Sequence, residues 1–251
     1  MTFPSDPLFY LVAVPAILLT GISKGGFGSA IGGVGVPLMA LAISPAQAAA
    51  ILLPILCLMD LVGLRVYYGK WDRANLRILI PGGMVGIAVG ALTFGMFDEN
   101  SLRLLIGLVA VLFTLNNWIG IASHQTPSGR SVSKGALCSA ASGYTSFVAH
   151  AGGPPLMIYM LPQRLDKITF VATANLFFMI VNAAKVVPYA WLGQFSSSNL
   201  AVSLLLLPLA PAGVWLGVWL QNRVNHTWFY RISQAGLFLT GMQLIYQSVR
   251  L

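Results

Sequence analysis

Residues 21–38 read Gly-Ile-Ser-Lys-Gly-Gly-Phe-Gly-Ser-Ala-Ile-Gly-Gly-Val-Gly-Val-Pro-Leu and lie between two apolar stretches. Each glycine costs a helix interior about 1 kcal/mol relative to alanine, so the segment predicts a helix that is broken into halves at 8–22 and 30–43. Irregular backbone at membrane depth persists only where protein or a water-filled cavity surrounds it. Because Lys24 places a charge at this break, the segment predicts a binding site between two half-helices.

A second copy of this segment indicates an internal duplication. The stretch 25–39 aligns with 143–157 through shared glycines, a proline and a closing Leu-Met pair. A Pro-x4-Gly-x3-Gly pattern at 81–90 recurs in the same order at 208–217. Two matching runs in the same order predict two related halves, each opened by a glycine-broken helix.

The composition is that of an integral membrane protein. Of the 251 residues, 57% are hydrophobic and only 8% are charged, whereas soluble domains carry roughly 25% charged residues. The net charge of +8 comes mostly from short loops. The positive charge therefore indicates which loops face the cytoplasm. We predict that the protein lies in a lipid bilayer and does not bind nucleic acid.

Eight hydrophobic elements follow one another, and the two broken ones open the two halves. A span of about 20 apolar residues crosses a bilayer. The unbroken elements lie at 46–66, 75–95, 102–122, 167–191, 198–221 and 227–248, and the second broken element covers 134–161. The prediction is an all-α membrane protein with one transporter domain, in which repeat 1 covers 8–122 and repeat 2 covers 134–248. Each repeat would consist of one broken element, either re-entrant or two half-helices, and three transmembrane helices.

The loop charges predict how the two repeats are oriented. If each broken element returns to the side on which it began, one side of the membrane holds Arg65, Lys70, Arg73, Arg77, Arg130, Lys134, Arg164, Lys167, Arg223 and Arg231. The other side then holds Arg103 and Arg250 with the acidic residues Asp6, Asp98 and Glu99. The positive-inside rule makes the first side cytoplasmic, so both termini are predicted to be periplasmic and the repeats to be inverted.

Four ionisable residues lie inside the apolar elements: Lys24, Asp60, His150 and Lys185. A charge at the bilayer centre costs at least ~2.5–3.5 kcal/mol, so each needs a partner or a function. Lys24 and His150 lie in the two breaks, where free N–H groups and positive helix ends favour an anion. The alternatives are a lysine that snorkels to the interface and a satisfied interior histidine. For Asp60 two roles stay open, an ion pair with a lysine and the transfer of a coupling proton.

The remaining candidates are polar groups around the same place. Asn175, Phe178, Asn182 and Lys185 follow one another at helical spacing and predict one wall of a cavity, although hydrogen bonds between helices would explain the amides equally well. The other predicted substrate-binding residues are Ser23, Gly25, Gly26 and Gly28 in the first break and Tyr144, Thr145, Ser146 and Gly152 in the second. Three scattered histidines and two isolated cysteines form no ligand cluster, so we predict no metal and no cofactor.

The pattern Gly-Gly-Phe-Gly-x3-Gly-Gly-x-Gly-x-Pro-Leu at 25–38 resembles the sulfite exporter TauE/SafE family, also called the 4-toluene sulfonate uptake permease family. So does its second copy, which ends Ala-Gly-Gly-Pro-Pro-Leu at 151–156, and the resemblance covers the whole chain. It implies transport of sulfite or of organosulfonates such as 4-toluenesulfonate across the bacterial inner membrane, coupled to the proton gradient. The second break has Tyr-Thr-Ser where the first has Gly-Phe-Gly, so the two breaks need not contribute equally.

The leading hypothesis is a secondary transporter that binds a small sulfur-containing anion near the midplane, between the two broken elements. Rocking of the two repeats would then give alternating access. The first alternative is a passive anion channel with the same site. The second is a membrane-embedded enzyme, which would need an acid–base pair or a metal cluster that the sequence does not display, so we predict no enzymatic activity.

Overall fold

The structure is a computed structural model that describes residues 7–27, 32–119, 129–221, 223 and 226–250. In these ranges the chain forms helices and turns and no strand. The helices are α1 (Pro7–Phe27), α2 (Gly35–Met39), α3 (Pro45–Val66), α4 (Arg73–Phe94), α5 (Glu99–Trp118), α6 (Val132–Ala149), α7 (Gly153–Met160), α8 (Lys167–Trp191), α9 (Ser197–Leu206), α10 (Leu209–Leu220) and α11 (His226–Arg250). Short 3₁₀ turns at Gly32–Val34 and Leu161–Gln163 precede α2 and follow α7.

The membrane character that the sequence predicts is confirmed. Among the described residues α1, α3, α4 and α8 are each long and apolar enough to cross a bilayer. The bent pair α9 and α10 makes a fifth candidate span. The helices α5 and α11 cover most of the other two predicted spans and pack against each other, but neither is among the candidate membrane spans of the described residues.

Side-chain caps define where most of the long helices begin. Ser44, Asp72, Ser131, Asp166 and Ser196 each accept a hydrogen bond from a backbone N–H in the first turn of the helix that follows. Each such cap stabilises a helix by about 1 kcal/mol. At Asp166, the hydrogen bonds from Thr169 also lower the pKa of the carboxyl group, so it stays ionised at neutral pH.

The first helix runs further along the chain than the sequence predicts. The predicted half at 8–22 is too short, because α1 continues to Phe27, and the next described element is the 3₁₀ turn that begins at Gly32. The reason is packing against α10: a Cβ on Gly21 would lie 2.8 Å from the Cα of Gly213, and a Cβ on Gly25 would overlap the backbone of α10. These glycines stay helical because the absence of a side chain lets two helices approach closely.

The second break is where the sequence predicts it. α6 ends at Ala149, His150 adopts a left-handed conformation with φ of 51°, and α7 starts at Gly153. The Ser142 hydroxyl donates to the Gly152 carbonyl at 2.6 Å and holds the turn against α6. A non-glycine residue at positive φ is uncommon, and such residues cluster at functional sites. His150 is therefore a candidate functional residue.

The predicted span at 198–221 is divided into two helices, because α9 and α10 meet at a bend of 41°. Pro208 lies at the junction and Pro211 lies in the first turn of α10, so two backbone donors are missing within one turn. The repeat-equivalent Pro81 is alone, and α4 passes through it without a break.

One end of the bundle, which we name the basic end, gathers the ends of α1, α3, α7 and α10 and the beginnings of α4, α6 and α8. The contacts that join them are Tyr67 Oη to Gly25 O at 2.6 Å, Arg130 to Asp72 at 2.8 Å, Asn75 to Gln163 at 2.9 Å and Lys167 Nζ to Gln221 O at 2.8 Å. At the opposite end, Arg103 on α5 donates to Ala40 O at 2.9 Å and to Gln247 on α11 at 2.8 Å.

The second broken element thus starts and finishes at the basic end, whereas the first one finishes at the opposite end. An inverted repeat with periplasmic termini requires helix directions of this kind, and both stay predictions. Asp6 lies outside the described residues.

Close helix contacts link the two halves. The first helix of each half packs against the Pro-x4-Gly-x3-Gly helix of the other, as α1 with α10 and α6 with α4. In the second pair, a Cβ on Gly86 would overlap the carbonyl oxygen of Ala140 and approach the Tyr144 nitrogen to 2.7 Å. Backbone atoms of a packed helix cannot move aside as a flexible side chain can.

Gly86→Ala should therefore destabilise the protein by about 1–3 kcal/mol, the usual cost of overpacking. Gly95→Ala is the matched control, because a Cβ at Gly95 would meet nothing within 4 Å. The measurement is the unfolding temperature of both purified variants and the wild type in one detergent. Equal unfolding temperatures for the two variants would contradict the proposed packing role.

Candidate functional site

Asp60 forms the centre of a buried polar group that we name the Asp60 cluster. It lies on α3 and is completely buried. Lys24, in the last turn of α1, forms an ion pair with its Oδ1 atom. Asn182 on α8 donates its amide to Oδ2 at 2.5 Å. Both carboxylate oxygens are thus occupied, which is what a buried charge requires.

Lys185, His150 and Ser146 form a second group, the His150 cluster. The Lys185 ammonium donates to the Ser146 carbonyl at 2.9 Å and to the Ser146 hydroxyl at 3.0 Å, and its Nζ lies 2.7 Å from His150 Nδ1. An ammonium only donates, so Nδ1 is the acceptor and the ring proton sits on Nε2. Nε2 lies 2.9 Å from the Ala49 carbonyl oxygen and donates a hydrogen bond to it. This pattern requires a neutral imidazole.

The two clusters differ in their charge balance. Asp60 compensates Lys24, whereas every acceptor that the structure describes within hydrogen-bond distance of Lys185 is neutral. With both lysines protonated and Asp60 ionised, the buried region carries one positive charge. An ammonium buried without a counter-ion is costly, and an anion placed beside it would remove that cost.

A small cavity, the central cavity, lies between the two clusters. Its volume is about 20 Å³, which is room for about one water molecule. Its walls are Lys24, Leu56, Ser146, His150, Gly153, Phe178 and Asn182. A sulfur oxyanion is larger than water, so side chains would have to move before one could enter this cavity.

Phe178 separates the central cavity from the rest of the α8 face. Lys24 Nζ lies 5.6 Å from the centroid of its ring, within the range of a cation–π contact. The ring also fills the space beside Gly152, where a Cβ would lie 2.8 Å from a ring carbon. The glycine at the second break therefore lets an aromatic side chain close the cavity.

The structure brings some of the predicted site residues together and places others elsewhere. Lys24, Ser146, His150, Phe178 and Asn182 line the central cavity, with Asp60 and Lys185 bonded directly to residues of this lining. The other predicted residues lie outside the cavity wall: Ser23 in the buried face of α1, Gly25 and Gly26 against α10, Tyr144 and Thr145 on α6, Gly152 behind Phe178, and Asn175 against Gly63. Gly28 lies outside the described residues, and a substrate-binding role stays a prediction for all of these positions.

Several contributors have little or no signal in the sequence. Leu56 lines the cavity and the Ala49 carbonyl orients His150, and neither position differs from ordinary helix sequence. Tyr189 could have been found, because it continues the α8 stripe one turn beyond Lys185. Its hydroxyl donates to the Phe147 carbonyl at 2.6 Å, and its ring stacks on His150 at 6.1 Å. In the described part of the chain, no group of His, Cys, Asp and Glu could hold a metal ion.

Comparison with known proteins yields one match. The family model described as Sulfite exporter TauE/SafE matches residues 13–244. No curated protein and no solved structure matches the chain. The matched range includes both broken helices, both buried clusters and the central cavity. The chain therefore belongs to the sulfite exporter TauE/SafE family and is a multi-pass membrane transporter of the sulfite or sulfonate exporter type.

Proposed function

We propose that this protein is a secondary transporter that carries a small sulfur oxyanion, such as sulfite or an organosulfonate, by alternating access and in exchange with or together with protons. The observation that carries the proposal is the completely buried Lys185, whose described partners are neutral and which lies beside a cavity that Lys24 also lines. A buried positive charge without a counter-ion is a site for an anion.

The residues around the central cavity suit an oxyanion. The Lys24 and Lys185 ammonium groups, the Ser146 hydroxyl and the Asn182 amide are donors that can turn toward its oxygens. A hydrogen bond to a charged group contributes about 1.5–3 kcal/mol, and the surrounding apolar helices strengthen the electrostatic attraction. Three oxygens on one sulfur atom would engage three such donors together.

Asp60 links the anion to a proton through charge balance. With Asp60 ionised and both lysines protonated, the Asp60 cluster and the His150 cluster together carry one positive charge and neutralise a monoanion. With Asp60 protonated, Lys24 is released from its ion pair, and the two clusters together carry two positive charges and neutralise a dianion such as sulfite. Occupancy of the site by a dianion therefore favours protonation of Asp60, which is the thermodynamic linkage that coupled transport needs.

Transport by proteoliposomes tests this proposal. With an imposed pH gradient, the purified protein should accumulate radiolabelled sulfite above its external concentration, with saturable kinetics, and a protonophore should abolish the accumulation. Sulfite at one hundred times its Kd should also stabilise the folded protein by about 2.7 kcal/mol in a thermal-shift assay. Thiosulfate, sulfate and aryl sulfonates in the same assay would rank the substrates.

Two results would contradict the proposal. Flux that does not saturate, equalises the two concentrations and ignores the pH gradient would identify a passive anion channel. Absence of sulfite and sulfonate flux from liposomes that contain correctly folded protein would refute anion transport itself.

A further inference from the structure

A second and much larger cavity opens at the basic end of the bundle, and we name it the basic vestibule. It lies between the end of α1, the turn after α7 and the beginning of α8, and its volume is about 330 Å³. Its walls are Gly26, Phe27, Leu161, Arg164, Leu165, Lys167, Phe170 and Val171. Volumes of roughly 300–1,000 Å³ are typical of small-molecule sites, whereas the central cavity holds one water.

The walls of the vestibule combine two chemistries. Phe27, Leu161, Leu165, Phe170 and Val171 supply apolar and aromatic surface, and Arg164 and Lys167 supply two positive charges. A small inorganic anion would leave the apolar wall unused. The combination fits an amphiphilic anion, with an apolar body of about the size of an aromatic ring and one acidic head.

Arg164 is held in an unusual conformation at this place. It ends the 3₁₀ turn after α7 with φ of 51°, one of two non-glycine residues with positive φ in the described part of the chain. Its side chain is exposed, and none of the ion pairs among described residues includes it. Left-handed backbone at an arginine costs free energy, and such strain is common at ligand sites.

The two charged residues that follow Arg164, Asp166 and Lys167, form hydrogen bonds that leave the vestibule wall positively charged. Lys167 donates to the Gln221 carbonyl at 2.8 Å, which fixes its position on the wall. Asp166 lies between the two cations in sequence, but its carboxylate accepts hydrogen bonds from the backbone of Ile168 and Thr169 at 3.1 and 3.0 Å. It therefore caps α8 and does not line the cavity, so the wall is net positive.

Residues of the vestibule wall and of the central cavity lie along one face of α8. Val171 belongs to the vestibule wall, and Phe178 and Asn182 belong to the central cavity. Asn175 lies between them at helical spacing, and its Oδ1 atom is buried without a hydrogen-bond partner among the described residues. Phe178 is then the ring that closes the passage between a wide outer site and a narrow inner one.

We propose that the basic vestibule is a second binding site, specific for an organic sulfonate or another amphiphilic monoanion with an apolar body. The proposal rests on the proposed anion transport, since it places this site on the substrate route. Arg164 and Lys167 bind the acidic head, and the aromatic and aliphatic wall binds the apolar body. Affinity for organic sulfonates is then decided at the vestibule, and passage is decided at Phe178.

Calorimetric titration of the full chain in nanodiscs of zwitterionic lipid tests the site, with 4-toluenesulfonate and methanesulfonate as probes. The wild type should bind 4-toluenesulfonate at least tenfold more tightly than methanesulfonate, because only 4-toluenesulfonate has an aromatic ring that can contact the apolar wall. Arg164→Asn should weaken 4-toluenesulfonate binding by about fivefold, since an exposed charge pair contributes that much. Asparagine tolerates left-handed backbone, so this variant removes the charge without adding strain.

Two further variants separate this site from the central one. Arg73→Asn removes another exposed cation at the basic end, outside the vestibule wall, and should leave the affinity unchanged. Lys185→Met disables the central cavity, so the 4-toluenesulfonate binding that persists in this variant belongs to the vestibule. Equal 4-toluenesulfonate affinities for Arg164→Asn and Arg73→Asn would overturn the vestibule site. Loss of all 4-toluenesulfonate binding in Lys185→Met would also overturn it, but would still support anion binding at the central cavity.

An anionic phospholipid offers the same chemistry as an organic sulfonate, and the lipid composition distinguishes the two sources. If a lipid headgroup and its acyl chain occupy the vestibule, 4-toluenesulfonate affinity should fall when the nanodiscs contain phosphatidylglycerol, and Arg164→Asn should remove that dependence. If the affinity is the same in both lipids, the free sulfonate is the ligand of this site.

Discussion

Replacement of Lys185 by methionine is expected to weaken sulfite binding by at least a hundredfold while the protein stays folded. Lys185 is completely buried, and its ammonium group donates only to neutral acceptors among the described residues. Loss of a charged hydrogen bond in an apolar environment removes about 1.5–3 kcal/mol, and loss of a buried charge that has no counter-ion among the described residues removes the attraction that brings the anion in. Methionine keeps the length and much of the volume of the side chain.

The same substitution should leave the unfolding temperature of the unliganded protein unchanged or raise it. Replacing a buried charge with an apolar group of similar shape is often neutral or stabilising, because the desolvation cost disappears. Lys70→Met is the control, since Lys70 is exposed at the basic end and lines neither cavity. A Lys185→Met variant that binds sulfite as tightly as Lys70→Met would show that the anion site lies elsewhere.

Asp60→Asn is expected to abolish uphill transport and to destabilise the unliganded protein by about 3–5 kcal/mol. The cost follows from the buried ion pair with Lys24, because removal of one partner leaves the other charge uncompensated. Transport changes because the asparagine cannot exchange a proton, whereas sulfite exchange across the membrane without a gradient should persist. Sulfite should also stabilise Asp60→Asn more than the wild type, since it supplies the missing negative charge.

A double variant separates the two roles of Asp60. Lys24→Met with Asp60→Asn removes both charges and should recover most of the lost stability, giving a coupling energy well above zero in a double-mutant cycle. Uphill transport should stay lost in the double variant. Unchanged gradient-driven transport in a well-folded Asp60→Asn protein would exclude Asp60 as the coupling group and as an essential ion-pair partner.

The class of the protein and the residues of the site follow from local sequence. Composition alone shows a membrane protein, because a chain with 8% charged residues cannot cover a water-exposed surface. The four buried ionisable residues are visible for the same reason: in an apolar helix, a charge has to have a partner or a function. The α8 stripe is equally local, since helical spacing alone places Asn182 and Lys185 on one face.

The partner of each charge is decided only by the tertiary structure. Lys24 and Lys185 look alike in the sequence, yet Lys24 on α1 meets Asp60 on α3, whereas Lys185 on α8 meets a neutral histidine at the end of α6. That asymmetry leaves the buried Lys185 ammonium without a counter-ion among the described residues. It arises from contacts between helices that are distant along the chain, which no local pattern encodes.

The glycines show the limit of local reasoning most directly. A glycine has no side chain, and this property serves a ligand that approaches the backbone as well as a helix that packs against it. Gly25 and Gly26 therefore suggest a substrate cradle in the sequence, whereas in the fold they contact α10 and extend α1 to Phe27. The basic vestibule was likewise invisible, because only the packed bundle brings Gly26 and Phe27, at the end of α1, against the stretch 161–171 that supplies the cations and most of the apolar wall.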